Sequence, residues 1–194
     1  MKSRKRSLVT AIIAICCLLL SQEKICAQRY LPGQKAIQAT GGVADGDWTF
    51  AGYHAGIAYS KYTRSGNRWL FGAEFLNSGS EINNFQLPVS QMTGEGGYYI
   101  NFLSDRRKNF FFSLGFSALA GYETINWGSK TLSDGSLITN RDRFIYGGAI
   151  SFEIEAYLTD RIAILLNVRE RSLWGSDVGT FHNQIGIGLK YVLK

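Results

Sequence analysis

Apolar and polar residues alternate along most of this chain with a period of two. The clearest stretch is Phe110–Trp127. Phe110, Phe112, Leu114, Phe116, Ala118, Ala120 and Tyr122 share one face, and Phe111, Ser113, Gly115, Ser117, Leu119, Gly121 and Glu123 share the other. A period of two marks a strand. The run exceeds the ~5–6 residues of an ordinary globular strand and covers the ~9–11 tilted residues that cross a bilayer. One face is apolar with aromatic ends; the other is mostly small or polar and ends in a carboxylate. Lipid on one side and a packed interior on the other account for that asymmetry.

The same alternation predicts about eight strands: 36–43, 48–63, 68–77, 91–103, 110–127, 142–158, 161–171 and 180–193. Between them lie turns or loops at 44–47, 64–67, 78–90, 104–109, 128–141, 159–160 and 172–179. The connections near 65, 106 and 160 are short, and those near 84, 134 and 175 are longer; the first, near 45, is the one short link on the long-loop side. That alternation fits short periplasmic turns and longer extracellular loops, and an even strand count returns both termini to the periplasm. No stretch after residue 27 is apolar for 18 unbroken residues, which excludes helical spans. Unpaired amides in lipid cost several kcal/mol, so a sheet there must close. The predicted fold is therefore all-β, a closed antiparallel transmembrane barrel of about eight strands. Eight strands enclose a lumen just wide enough for side chains to fill, so an open pore is not expected. A soluble barrel or sandwich is the rival architecture, and it would turn the aromatics inward.

The N-terminus follows a different rule. Lys2, Arg4, Lys5 and Arg6 precede an apolar run from Leu8 to Leu20, and Ala27 offers a cleavage position before Gln28. This predicts a secretory signal peptide over 1–27, a periplasmic lead-in over 28–35 and a barrel domain over 36–194. The apolar run is shorter than the ~20 residues of a membrane-spanning helix. Cleavage would remove Cys16, Cys17 and Cys26, the only cysteines, and with them any disulfide or thiol chemistry. It also changes the charge. The whole chain has 21 basic and 15 acidic residues; removing five basic residues and Glu23 leaves 16 against 14, a net of +2. Such a balance gives little support to direct nucleic-acid binding, and none is expected.

Composition agrees with long paired strands: 22 glycines, 13% aromatics and only 2 prolines, which cannot donate to a ladder. By strand phase, Glu74, Glu95, Glu123, Glu153, Glu155, Arg169, Arg171 and Lys190 point away from the lipid face, as do His54 and His182. Buried charges must pair, so the first eight read as an ionic network inside the barrel. A lipid-modifying barrel enzyme would need a nucleophile, base and orienting group within hydrogen-bond reach of a lipid-facing site. Neither histidine has a serine at the next position on its face. Two histidines without ligand spacing suggest no metal site, and no cofactor is expected. The glycine-rich segments 41–42 and 94–97 lead into no helix, so they lack the phosphate-cradling mechanism. Arg106-Arg107-Lys108 reads as a solvated turn that could also meet a partner or anionic headgroups.

Several blocks resemble the TraO proteins of Bacteroides-type conjugative transposons. They are 28–38, beginning Gln28-Arg29-Tyr30-Leu31-Pro32-Gly33, then 66–74, 94–99, 101–105, 118–123 and Arg169-Glu170-Arg171. Together they reach across nearly the whole chain after residue 27. Tyr30 departs from relatives that carry a cysteine there, so any role of that thiol is lost. The resemblance implies a conjugal transfer protein, an envelope component of a type IV secretion-like apparatus, with other transfer proteins and outer-membrane lipid as partners. It supplies no catalytic residues. The resulting expectation is a non-enzymatic outer-membrane component that anchors or stabilises the mating complex. A generic structural or adhesive surface barrel and a lipid-modifying enzyme are the alternatives.

Overall fold

Eight antiparallel strands follow one another around a closed barrel, each paired with its neighbours in sequence. The computed structural model describes residues 32–44, 52–82, 85–125, 142–176 and 180–193. The strands are β1 (Lys35–Ala44), β2 (Gly52–Tyr62), β3 (Arg68–Ile82), β4 (Phe85–Ser104), β5 (Phe110–Ile125), β6 (Arg143–Tyr157), β7 (Ile162–Trp174) and β8 (Phe181–Leu193). β1 pairs with both β2 and β8, from Lys35 opposite Lys61 and Leu193 to Ala44 opposite Gly52 and Gln184. That double pairing closes the cylinder. No described helix is long and apolar enough to cross a membrane.

The fold class expected from alternation is the one observed, with three local differences. The described residues of the expected 78–90 loop, 78–82 and 85–90, are strand. β3 continues to Ile82 and pairs with β4 as far as Ile82 opposite Phe85. Within this pairing, Pro88 lies opposite Gly79 of β3. β7 runs on to Trp174, three residues past its expected end. A bulge between Asn101 and Leu103 leaves both Phe102 and Leu103 exposed, breaking the strict alternation of β4. The signal segment, the proposed cleavage position at Ala27 and Gln28, and residues 28–31 of the lead-in lie outside the described residues. So does the expected loop at 128–141.

The three short connections share one end of the barrel with Lys35 and Leu193; we call it the turn end. In the 63–67 turn, the Gly66 backbone adopts φ +80°, and the Thr63 amide donates to the Asn67 carbonyl at 2.7 Å. Asp105 Oδ1 accepts from the Asn109 and Phe110 amides. Thr159 Oγ1 accepts from the Arg161 and Ile162 amides.

The outer surface is apolar. Ile57, Ile187 and Phe181 are 68–69% exposed. Trp69, Tyr98, Phe102, Phe110 and Tyr191 lie on the outer face toward the turn end, and Tyr53, Tyr122, Phe144, Tyr146, Trp174 and Phe181 toward the other. Aliphatic residues such as Leu166, Val168 and Leu189 lie between. The interior is filled in layers. Next to the turn end, Ala36, Tyr62, Phe111, Tyr157, Ala163 and Val192 form an apolar plug, with the Phe111 and Tyr157 rings edge-on at 5.6 Å. Glycine and small polar residues thus share the lumen with large aromatics. A second apolar cluster, Leu119, Ile145, Ala149 and Leu173, lies nearer the opposite end.

Candidate functional site

The polar residues inside the barrel are the candidate site, and the strands deliver them by phase. Glu153 and Glu155 alternate with outward Phe152 and Ile154 on β6. Lys190 alternates with Leu189 and Tyr191 on β8. Just above the apolar plug, Arg68 at the start of β3 reaches across the lumen to both glutamates. Its Nη2 donates to Glu153 Oε1, and its Nη1 donates to Glu155 Oε1 at 2.5 Å. Lys190 Nζ lies 2.8 Å from Glu155 Oε1 and 3.3 Å from Glu153 Oε1. Two cations meet two anions, so the group is neutral. The Arg68 guanidinium also lies 4.6 Å from the Tyr99 ring centroid, a cation–π contact. Tyr99 in turn lies over Gly115, where an added Cβ would come within 2.5 Å of the ring. A glycine on β5 is what lets the ring lie flat enough to receive the guanidinium.

Further from the turn end, Arg169 and Arg171 on β7 meet Glu74 on β3 and Glu95 on β4. Arg169 Nη1 is 3.3 Å from Glu74 Oε2, and its Nη2 contacts Glu95 Oε2. Arg171 Nη1 is 3.0 Å from Glu74 Oε1, and Gln184 Nε2 donates to the same oxygen at 2.8 Å. Arg171 Nη2 reaches Thr93 Oγ1 at 3.3 Å. This group also balances, two cations against two carboxylates. Glu123 sits elsewhere. It is opposite Arg143 in register, and its Oε2 accepts from Gln91 Nε2 at 2.9 Å and Ser176 Oγ at 2.8 Å.

The eight ionisable residues selected from sequence therefore occupy the lumen at three levels. Reasoning from sequence missed Arg68, which joins the lower group together, and the aromatic cage of Tyr62 and Tyr99 around it. Arg68 directly follows a turn, where a cation is normally solvated. Its even spacing from Glu74, six residues on, was the available signal for its inward direction.

Chemically, the arrangement locks charges together inside the barrel. His54 and His182 are both only 3% exposed and face the lumen, His182 opposite Arg171 in register. Neither presents an imidazole to the outer face, where an acyl chain would lie. Among the described residues, no three His, Cys, Asp or Glu side chains gather as a metal site. One carboxylate, Glu170, does point outward. With Phe116, Ala118, Gly148, Ile150, Ser172 and Phe181 it lines a shallow external groove of about 510 Å³.

The family model for conjugative transposon protein TraO matches residues 31–193. No curated protein matches the chain in sequence. Among solved structures, Neisserial surface protein A aligns with a TM-score of 0.58 at 11% identity, covering 81% of this chain and 96% of that one. Ail, the attachment invasion locus protein of Yersinia pestis, solved with the heparin analogue sucrose octasulfate, aligns with a TM-score of 0.56 at 10% identity. That match covers 84% of this chain and 100% of Ail. At such identities the likeness is one of fold.

Proposed function

The chain belongs to the TraO family of conjugative transposon proteins, and from that premise we propose that it is a non-enzymatic outer-membrane component of the DNA transfer apparatus. It anchors or stabilises the mating complex. The observation that carries this reading is the pairing of an exposed apolar wall, aromatic toward both ends, with a lumen filled by balanced charges and apolar layers. Such a wall is costly in water and favourable in lipid. The filled lumen argues against passage of a DNA strand through this barrel, and the locked charges argue against catalysis there. The protein therefore contributes position: a rigid body in the membrane to which other transfer proteins attach. Export by a signal cleaved between Ala27 and Gln28, and a periplasmic turn end with both barrel termini, complete the proposal.

A second reading is a structural or adhesive surface barrel that works through its loops. β4, at 20 residues the longest described strand, favours it, because its ladder with β3 continues to Ile82 opposite Phe85 and sets that hairpin at the end opposite the turn end.

The deciding experiment deletes the gene in frame in a donor and measures mating frequency with and without a complementing copy. Loss of transfer, restored in trans, is the expected result. Unchanged transfer with an intact envelope would move the assignment to the surface barrel.

A further inference from the structure

The turn end is strongly basic. Lys35 opens β1 and lies opposite Lys61 of β2; Arg64 sits in the first short turn, Arg106, Arg107 and Lys108 in the second, and Arg161 in the third. All seven are exposed. The described carboxylates at this end are Asp105 and Asp160, and Asp105 caps its own turn through the Asn109 and Phe110 amides. Seven cations less two carboxylates leave +5, more than the +2 of the whole chain after residue 27. Among the described residues, the other charged groups lie in the lumen, at Glu170 on the outer wall or toward the other end, so the net positive charge is concentrated on this rim.

Two further features say what such a rim fits. The cations occur on β1, on β2 and on all three short turns, so they follow the circumference. A protein partner would meet one sector, whereas a planar surface meets the whole ring. Just inside the rim runs the aromatic belt, with Lys61 opposite Trp69 across the β2–β3 ladder, and Trp69 edge-on to Tyr98 at 4.9 Å. Aromatics followed by cations is the sequence met on leaving a bilayer through its headgroups, where long cationic side chains reach the phosphates. Lys108 adds an independent clue. Its φ is +54°, the single left-handed residue other than glycine among the described ones. Glycine would adopt that conformation without strain. The turn instead keeps a cation there.

We propose that the basic rim binds anionic phospholipid headgroups of the leaflet at the turn end, fixing the depth and tilt of the barrel. This rests on the bilayer placement proposed above. A cation near a negatively charged membrane surface strengthens association by a factor of about five, and salt weakens the effect.

The test refolds the purified protein into vesicles of phosphatidylcholine, with or without phosphatidylglycerol, and measures the association of spin-labelled phosphatidylglycerol relative to spin-labelled phosphatidylcholine. The variant is Arg106→Glu with Arg107→Glu and Lys108→Gly. Lys108→Gly alone serves as a fold control, since it relieves the strained backbone and should keep or raise the temperature of the gel shift, the heating step at which a folded barrel in detergent unfolds and changes its mobility on a gel. The expected result is a several-fold preference for the anionic lipid that falls in the triple variant and at high salt. Equal association of both lipids with the unaltered protein would overturn the proposal, as would a preference undiminished in the variant. Reduced mating by the variant with its lipid preference intact would also overturn it and assign the rim to an acidic protein. Failure to insert into either vesicle, with no gel shift, would sink the bilayer placement itself.

Discussion

Removing the Arg68 guanidinium would leave Glu153 and Glu155 sharing the single ammonium of Lys190. Breaking a buried ion pair from one side costs about 3–5 kcal/mol, because the orphaned charge stays desolvated. Arg68→Ala should therefore lower unfolding stability by about that amount, read as a drop in the urea midpoint of the vesicle-inserted protein. Arg68→Lys should recover only part of it, since an ammonium cannot bridge both carboxylates in a fork or stack on Tyr99 in the same way. A midpoint unchanged in Arg68→Ala would show that the lower group is not coupled as described. At this scale the sequence discloses direction but not partnership. Strand phase places Glu153, Glu155 and Lys190 on the inner face because alternation is local. Which carboxylate meets which cation depends on how far each strand is staggered around the closed cylinder, and that stagger is a property of closure. Arg68 meets Glu155 across 87 residues of sequence, and no local pattern encodes such a pair.

Individual strands were legible wherever one side meets an apolar medium. β5, β6 and β8 have nearly the bounds that alternation predicts, because their outer positions must be apolar and their inner ones small or paired. The hairpin of β3 and β4 was not, and the reason is physical. Alternation exists only where the two faces meet different surroundings. Residues 78–88 carry Ser78, Ser80, Asn83, Asn84 and Pro88, which read as a loop, yet the ladder continues through backbone hydrogen bonding that leaves no side-chain signature. The described β4–β5 ladder starts at Val89, so a shorter hairpin tip leaves every described pair of that ladder in place. Replacing residues 80–87 with an Asn-Gly turn, a favoured two-residue hairpin connection, should leave the temperature of the gel shift unchanged. A large fall would mean that the extended hairpin braces the wall. If the wall is unchanged but mating is lost, the hairpin becomes the contact surface.

The whole molecule separates its tasks radially and axially. Radially, the apolar wall faces outward and neutral charge groups fill the centre, so neither depends on the other's chemistry. Axially, the turn end gathers exposed cations, the three described turns and both barrel termini. Alternation and connection lengths made the closed barrel legible in sequence. The aromatic plug of Tyr62, Phe111 and Tyr157 was not: strand phase sets Phe111 on the inner face, but only the closed register shows that the three converge.

Closure also makes the order of the strands circular. Lys35 and Leu193 are register partners, so their Cα atoms are about 5 Å apart. A linker of a few residues could join them, and the chain could be opened anew between Asp105 and Asn109, placing fresh termini at the same end. Such a circular permutant would contain the same eight ladders in rotated order. It should insert and show the same gel shift as the parent. If it does, the strand that emerges first from synthesis holds no privileged place in building the barrel. Failure of the permutant alone would mean that the β1–β8 seam must be the last to form.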